Sequence, residues 1–204
     1  MLPYPRLIMA RMFPQSINCR EFTSIATRRL YRLFEKNLPD EFTVFYSVKW
    51  QINNFKGETQ EGKTDFVITS PELGILILEV QEGEIKFNQD HWYCKNNIIE
   101  DPFSQACDSK YSFLRLLKDH PFWLNKPIVI GHAVAFPDTT IKENLGLHAP
   151  QIMVLDQPQL FRLENWTKSV MIYWQNSSCE PVELGKQAIE ELIRFFNNST
   201  VIFY

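Results

Sequence analysis

The chain lacks any excess of positive charge: 21 Lys and Arg stand against 24 Asp and Glu, a net charge of −3. A tight non-specific nucleic-acid binder would show a basic stripe, so contact with such a polymer is expected to be weak, transient or helped by a partner. The four cysteines, Cys19, Cys94, Cys107 and Cys179, form no Cys-x-x-Cys pair. That argues against structural zinc and fits free thiols in a reducing cytosol, so the expected location is cytoplasmic. No run approaches the roughly 20 apolar residues of a membrane-spanning helix, and residues 1–12 lack the apolar stretch of a signal peptide. There is no Gly-rich phosphate loop and no Gly-x-Ser-x-Gly elbow, which disfavours a nucleotide triphosphatase or a serine hydrolase. His91, His120, His132 and His148 show no paired spacing, so none is assigned to a metal or triad. A strand histidine such as His132 is expected to be packed and hydrogen-bonded.

What is present is a core. At 204 residues, with 16 Phe and 5 Trp, the chain has the length and bulk for one substantial interior. Apolar residues at Phe22, Ile25, Ala26, Leu30, Leu33 and Phe34 repeat with helical spacing over 21–37. Arg20, Arg28, Arg29, Arg32 and Lys36 lie along that helix, either as a solvated face or as a track for a phosphate backbone. Residues 43–50 alternate as a strand, and the polar stretch 53–62 reads as a loop. Short strands are expected at 84–87 and 91–94, followed by a helix whose first turn holds Pro102. The apolar run 127–136 suits a strand covered on both faces. A short strand at 151–156, helices over 157–163 and 165–174, and a helix over 182–197 complete the reading. Strands flanked by helices indicate an α/β fold.

The sharpest pattern is Gly62-Lys63-Thr64-Asp65-Phe66-Val67-Ile68, a short turn, then Leu73-Gly74-Ile75-Leu76-Ile77-Leu78-Glu79-Val80-Gln81. Two apolar runs around a Pro/Gly turn predict a hairpin, with Asp65 opening the first strand and Glu79 closing the second. In an antiparallel pair those ends lie side by side. Two converging carboxylates repel unless a cation sits between them, and a hard divalent ion takes such oxygens readily. The alternative is that each acid merely caps a strand in solvent.

This order of residues resembles the PD-(D/E)xK nuclease superfamily, and its surroundings resemble the nuclease-related domain (NERD) family. The resemblance extends to Met9-Ala10-Arg11-Met12-Phe13-Pro14, to Arg20-Glu21, and to Leu38-Pro39-Asp40-Glu41-Phe42-Thr43-Val44. It continues through His91-Trp92 and Asp101-Pro102-Phe103-Ser104-Gln105-Ala106. It implies a restriction-endonuclease-like mixed sheet flanked by helices, with residues 1–20 leading into one domain over 21–204. It also implies a divalent-metal-dependent nuclease that hydrolyses DNA phosphodiester bonds in processing or repair. Mg2+ or Mn2+ would be held by Asp65, Glu79 and the Val80 carbonyl. DNA would be the partner, alongside a helicase or other DNA-processing protein, with no membrane involved. Glu21 matches the family's N-terminal acid, and either adds an oxygen near the ion or favours its helix dipole. Gln105 matches a family Gln facing the site. Lys110, five residues on, is expected to be solvated.

The chain departs from the family at two positions, with Lys63 where Glu is usual and Gln81 where Lys is usual. Gln81 hydrogen-bonds water or phosphate oxygen but carries no charge. Residues two apart on a strand share a face, so Lys63 either supplies the missing ammonium beside Asp65 or is a solvated lysine before the strand. The alternative function is a catalytically decayed module of the same fold that binds DNA or docks a protein.

Overall fold

The computed structural model describes residues 9–17, 22, 24–53, 59–142, 145 and 149–198. A six-stranded mixed sheet flanked by helices forms its centre. Strand β1 (Arg11–Phe13) runs parallel to β2 (Thr43–Asn53), which pairs antiparallel with β3 (Thr59–Ser70). Strand β4 (Gly74–Val80) is antiparallel to β3 and parallel to β8 (Ile130–Phe136), and β9 (Val154–Asp156) closes the far edge parallel to β8. A second, three-stranded antiparallel sheet joins β5 (Ile85–Asn88), β6 (His91–Cys94) and β7 (Asn97–Ile99).

Among the described residues four α-helices cover the main sheet. In α1 (Ile25–Asn37) the Ser24 hydroxyl accepts from the Thr27 N–H, and Thr27 answers to the Ser24 N–H, a reciprocal cap that satisfies two orphan donors. In α2 (Pro102–Lys118), Asp101 accepts from the Phe103 N–H, and Pro102 occupies the first turn, where its missing N–H has no partner to lose. The others are α3 (Leu163–Ser177) and α4 (Lys186–Asn198). One core layer packs Leu30 and Phe34 of α1 and Val170 of α3 on Phe66, Leu76 and Leu78. A second packs Phe113 and Leu117 of α2 and Leu192 and Phe196 of α4 on Val67, Ile75 and Ile77. The continuous burial of β4 and β8 reflects this double cover.

Several boundaries differ from the sequence reading. The polar stretch at 53–62 is a hairpin extension: β2 reaches Asn53 and β3 starts at Thr59, paired Asn53 to Thr59, while residues 54–58 lie outside the described ones. Ladder hydrogen bonds do not require apolar side chains, so polarity alone gave the wrong answer. Residues 127–129 precede β8, and 151–153 form a 3-10 turn before β9. The final helix starts at Lys186, because Gly185 has φ +79°, a left-handed conformation that a helix cannot include. Among the described residues no helix is long and apolar enough to cross a membrane.

Candidate active site

The site forms where β3 and β4 part at one end of their hairpin. Their ladder pairs Ser70 with Gly74 through to Phe66 with Leu78, and one further step sets Asp65 opposite Glu79. There side chain replaces ladder: Asp65 Oδ2 accepts the Val80 N–H at 3.1 Å. Lys63 Nζ lies 3.2 Å from the other oxygen, Oδ1. The lysine therefore neutralises Asp65 across the two-residue strand repeat.

Glu79 has the opposite environment. It is 4% exposed, and burial pushes its carboxyl up to about 7, with the negative Asp65 beside it adding to the rise. The Thr64 and Ser109 hydroxyls and the Asp65 N–H face it and draw the value partway back. Even so, Glu79 Oε1 and Thr64 Oγ1 have no partner in hydrogen-bond geometry among the described residues. Thr64 thus stands near the carboxyl without closing a bond to it.

Two amides, Gln81 and Gln105, come together at the mouth. Gln81 is anchored by its own N–H to the Ala135 carbonyl at 2.9 Å, and its side-chain Nε2 donates to Gln105 Oε1 at 3.2 Å. Beside them a cleft of about 370 Å³ is lined by Lys63, Gln105, Ser109 and the acids Glu100, Asp101 and Asp108. Ser109 was missed by the sequence reading, although it stands one helical turn after Gln105 and so shares its face. Glu21 lies outside the described residues.

Two further expectations change. Lys110 is buried, at 7% exposure, rather than solvated. It occupies the α2 stripe of Ala106, Phe113 and Leu117, spaced at helical intervals, so the five-residue offset from Gln105 turns it onto the buried face and not into solvent. His132 is packed as expected, but its Nδ1 finds no partner among the described residues.

The nuclease-related domain model matches residues 23–137, more than half of the chain. The chain belongs to the nuclease-related domain family. No curated protein and no solved structure matches it. The family match contains both hairpin carboxylates, Gln81 and Gln105.

The donor set suits a hard cation. Among the described residues no three of His, Cys, Asp and Glu gather as a metal-holding group; Asp65 and Glu79 are a pair of carboxylates only. Both offer hard oxygens, and the buried, unpartnered Oε1 of Glu79 is an atom that a divalent ion would satisfy.

Proposed function

We propose that this protein is a divalent-metal-dependent nuclease acting on DNA phosphodiester bonds through a PD-(D/E)xK-type site. The observation that carries the reading is Glu79, sealed beside Asp65 with one oxygen unsatisfied and its carboxyl raised to about 7 by burial and then by the Asp65 charge. Asp65, Glu79 and the Val80 carbonyl would hold Mg2+ or Mn2+, which when bound polarises the phosphate and lowers the pKa of a coordinated water. Lys63 places its ammonium at Asp65, where charge develops on the phosphate, in the role the family gives to the lysine missing at 81. The Gln81–Gln105 amide pair orients water and substrate oxygen at the mouth.

Cleavage of single- and double-stranded DNA with Mg2+ or Mn2+ tests this. Asp65→Ala or Glu79→Ala should abolish divalent-dependent cutting with the fold retained. Lys63→Ala should slow it about 100-fold, the scale of losing one charge-stabilising donor; an unchanged rate removes the lysine from the mechanism.

A second reading has its own support. The Lys63–Asp65 ion pair neutralises one carboxylate without any metal, as expected of a decayed site kept for binding or docking. Calorimetric titration with Mn2+ separates the two. Single-site heat that disappears in Asp65→Ala supports the enzyme, and its absence supports the decayed module.

A further inference from the structure

Next to the carboxylate pair, on the β8 side, lies a cluster that the hydrolytic reading leaves unused. His132 pairs with Ile77 across β4 and β8, one strand over and two residues back from Glu79, a separation of about 8 Å from strand spacing and rise. Strand β9 pairs only with Val134–Phe136, so at His132 the edge of the sheet is covered by Trp174 of α3. The Trp174 ring lies 4.7 Å from the His132 ring and donates its Nε1–H to the His132 carbonyl at 2.9 Å. It also rests on Gly131, where any Cβ would meet Trp174 Cδ1 at 2.1 Å. The indole is therefore held rigidly from two sides.

Against this indole sits Lys110. Its Nζ is 4.7 Å from the Trp174 ring centroid and 4.3 Å from that of Tyr111. Among the described residues no carboxylate lies within ion-pair distance of it, in contrast to Lys63, Lys86 and Lys168. Nor is its nitrogen among the sealed, unpartnered polar atoms; its neighbours are the two ring faces. Burial and the Lys110 charge together hold His132 down to about 4, so at neutral pH the imidazole adds no charge to the cluster. Tyr111 is 59% exposed, and Tyr173 continues the aromatic surface 5.5 Å from Trp174.

A buried ammonium flanked by aromatic faces and lacking its own carboxylate attracts a phosphate, and an exposed ring beside it offers a face for a base. Bases stacked inside a duplex have no free face to give, so the arrangement favours unpaired strands. We propose that Lys110, Tyr111 and Trp174 form a subsite for single-stranded nucleic acid, with a phosphate on the ammonium and a base against Tyr111. Resting on the nuclease reading, this subsite would hold the strand a few nucleotides from the scissile bond and set a preference for unpaired substrate.

The test is binding of the full chain to labelled oligothymidine by fluorescence anisotropy, in chelator so that nothing is cut. Tyr111→Ala should weaken binding about tenfold, within the range for losing one stacked base, while Tyr111→Phe should bind as wild type. Lys110→Met should weaken it and make the salt slope shallower by about 0.7, with circular dichroism confirming the fold. A duplex of equal length should bind more weakly than the single strand. Failure of the wild type to bind, equal preference for duplex, or unchanged affinity in Tyr111→Ala would each overturn the subsite. If the variants lose oligothymidine while the wild type cuts nothing with any divalent ion, the nuclease reading fails and the subsite stands. Cutting by the wild type with unaltered binding in the variants removes the subsite alone.

Discussion

Glu79 and His132 are buried on neighbouring strands with their pKa values displaced in opposite directions. Glu79 rises from 4.5 to about 7 through burial and then Asp65; His132 falls from 6.5 to about 4 through burial and then Lys110. Between pH 4.5 and 7 the folded protein keeps a proton on Glu79 that the unfolded chain has lost, so this group makes stability fall as pH rises. Between pH 4 and 6.5 the unfolded chain holds a proton that buried His132 refuses, so stability rises with pH. Each effect is at most about 3 kcal/mol, and over the shared window they cancel. Metal-free wild type should therefore show little net pH dependence from these two groups between pH 4.5 and 6.5. Glu79→Gln should unmask a rise of up to about 3 kcal/mol across that range, and His132→Gln a fall of similar size. Urea unfolding at several pH values measures both; parallel profiles in the two variants would show that neither residue titrates as described. At this scale the sequence was legible where two residues oppose each other across a hairpin, as with Asp65 and Glu79. It was illegible at Lys110, where the offset from Gln105 was taken to point into solvent and the stripe of Ala106, Phe113 and Leu117 would have been the better guide.

Among the elements, those with dense local patterning were the readable ones. The α1 spacing, the Pro102 start of α2 and the β3–β4 hairpin all follow from residues close in sequence. Strand β1, three residues long, is held by parallel pairing with β2 some thirty positions later, and no local pattern encodes that. Strand β7, at Asn97–Ile99, was missed although its partner β6 is close in sequence, with Cys94 opposite Asn97 across a two-residue turn. The seating of α3 on β8 is another long-range fact, and it turns on Gly131 lying under Trp174. Gly131→Ala must push the indole off the strand, and overpacking of this kind typically destabilises by about 1–3 kcal/mol. The same substitution in a Trp174→Leu background should be nearly neutral, because the colliding ring is gone; residues in direct contact couple in this way. Thermal unfolding of the four proteins of that cycle gives the coupling directly. An equal loss in both backgrounds would mean that the glycine is needed for backbone reasons instead.

For the molecule as a whole, the acidic balance constrains how any polyanion is held. With a net charge of −3, phosphate contact has to come from a few placed cations. Lys63 at Asp65 and Lys110 between two rings are the candidates that face the proposed substrate path. The α1 cations form a separate set: Arg29 is already paired with Asp138 at 3.3 Å, and Arg32 and Lys36 are exposed on the helix. Two single-strand phosphate contacts release counterions with a slope of log K on log salt of about −1.4, whereas five or six would bring it close to −4. Anisotropy titrations of oligothymidine in chelator, repeated over a range of salt, should give the shallow value. A slope near −4 would mean that the α1 face tracks the backbone after all, and Arg32→Ala with Lys36→Ala would then reduce it. Binding this shallow is also weak, which is why stacking on a rigid aromatic face, insensitive to salt, is the contribution that would let an acidic protein keep hold of a strand long enough to cut it.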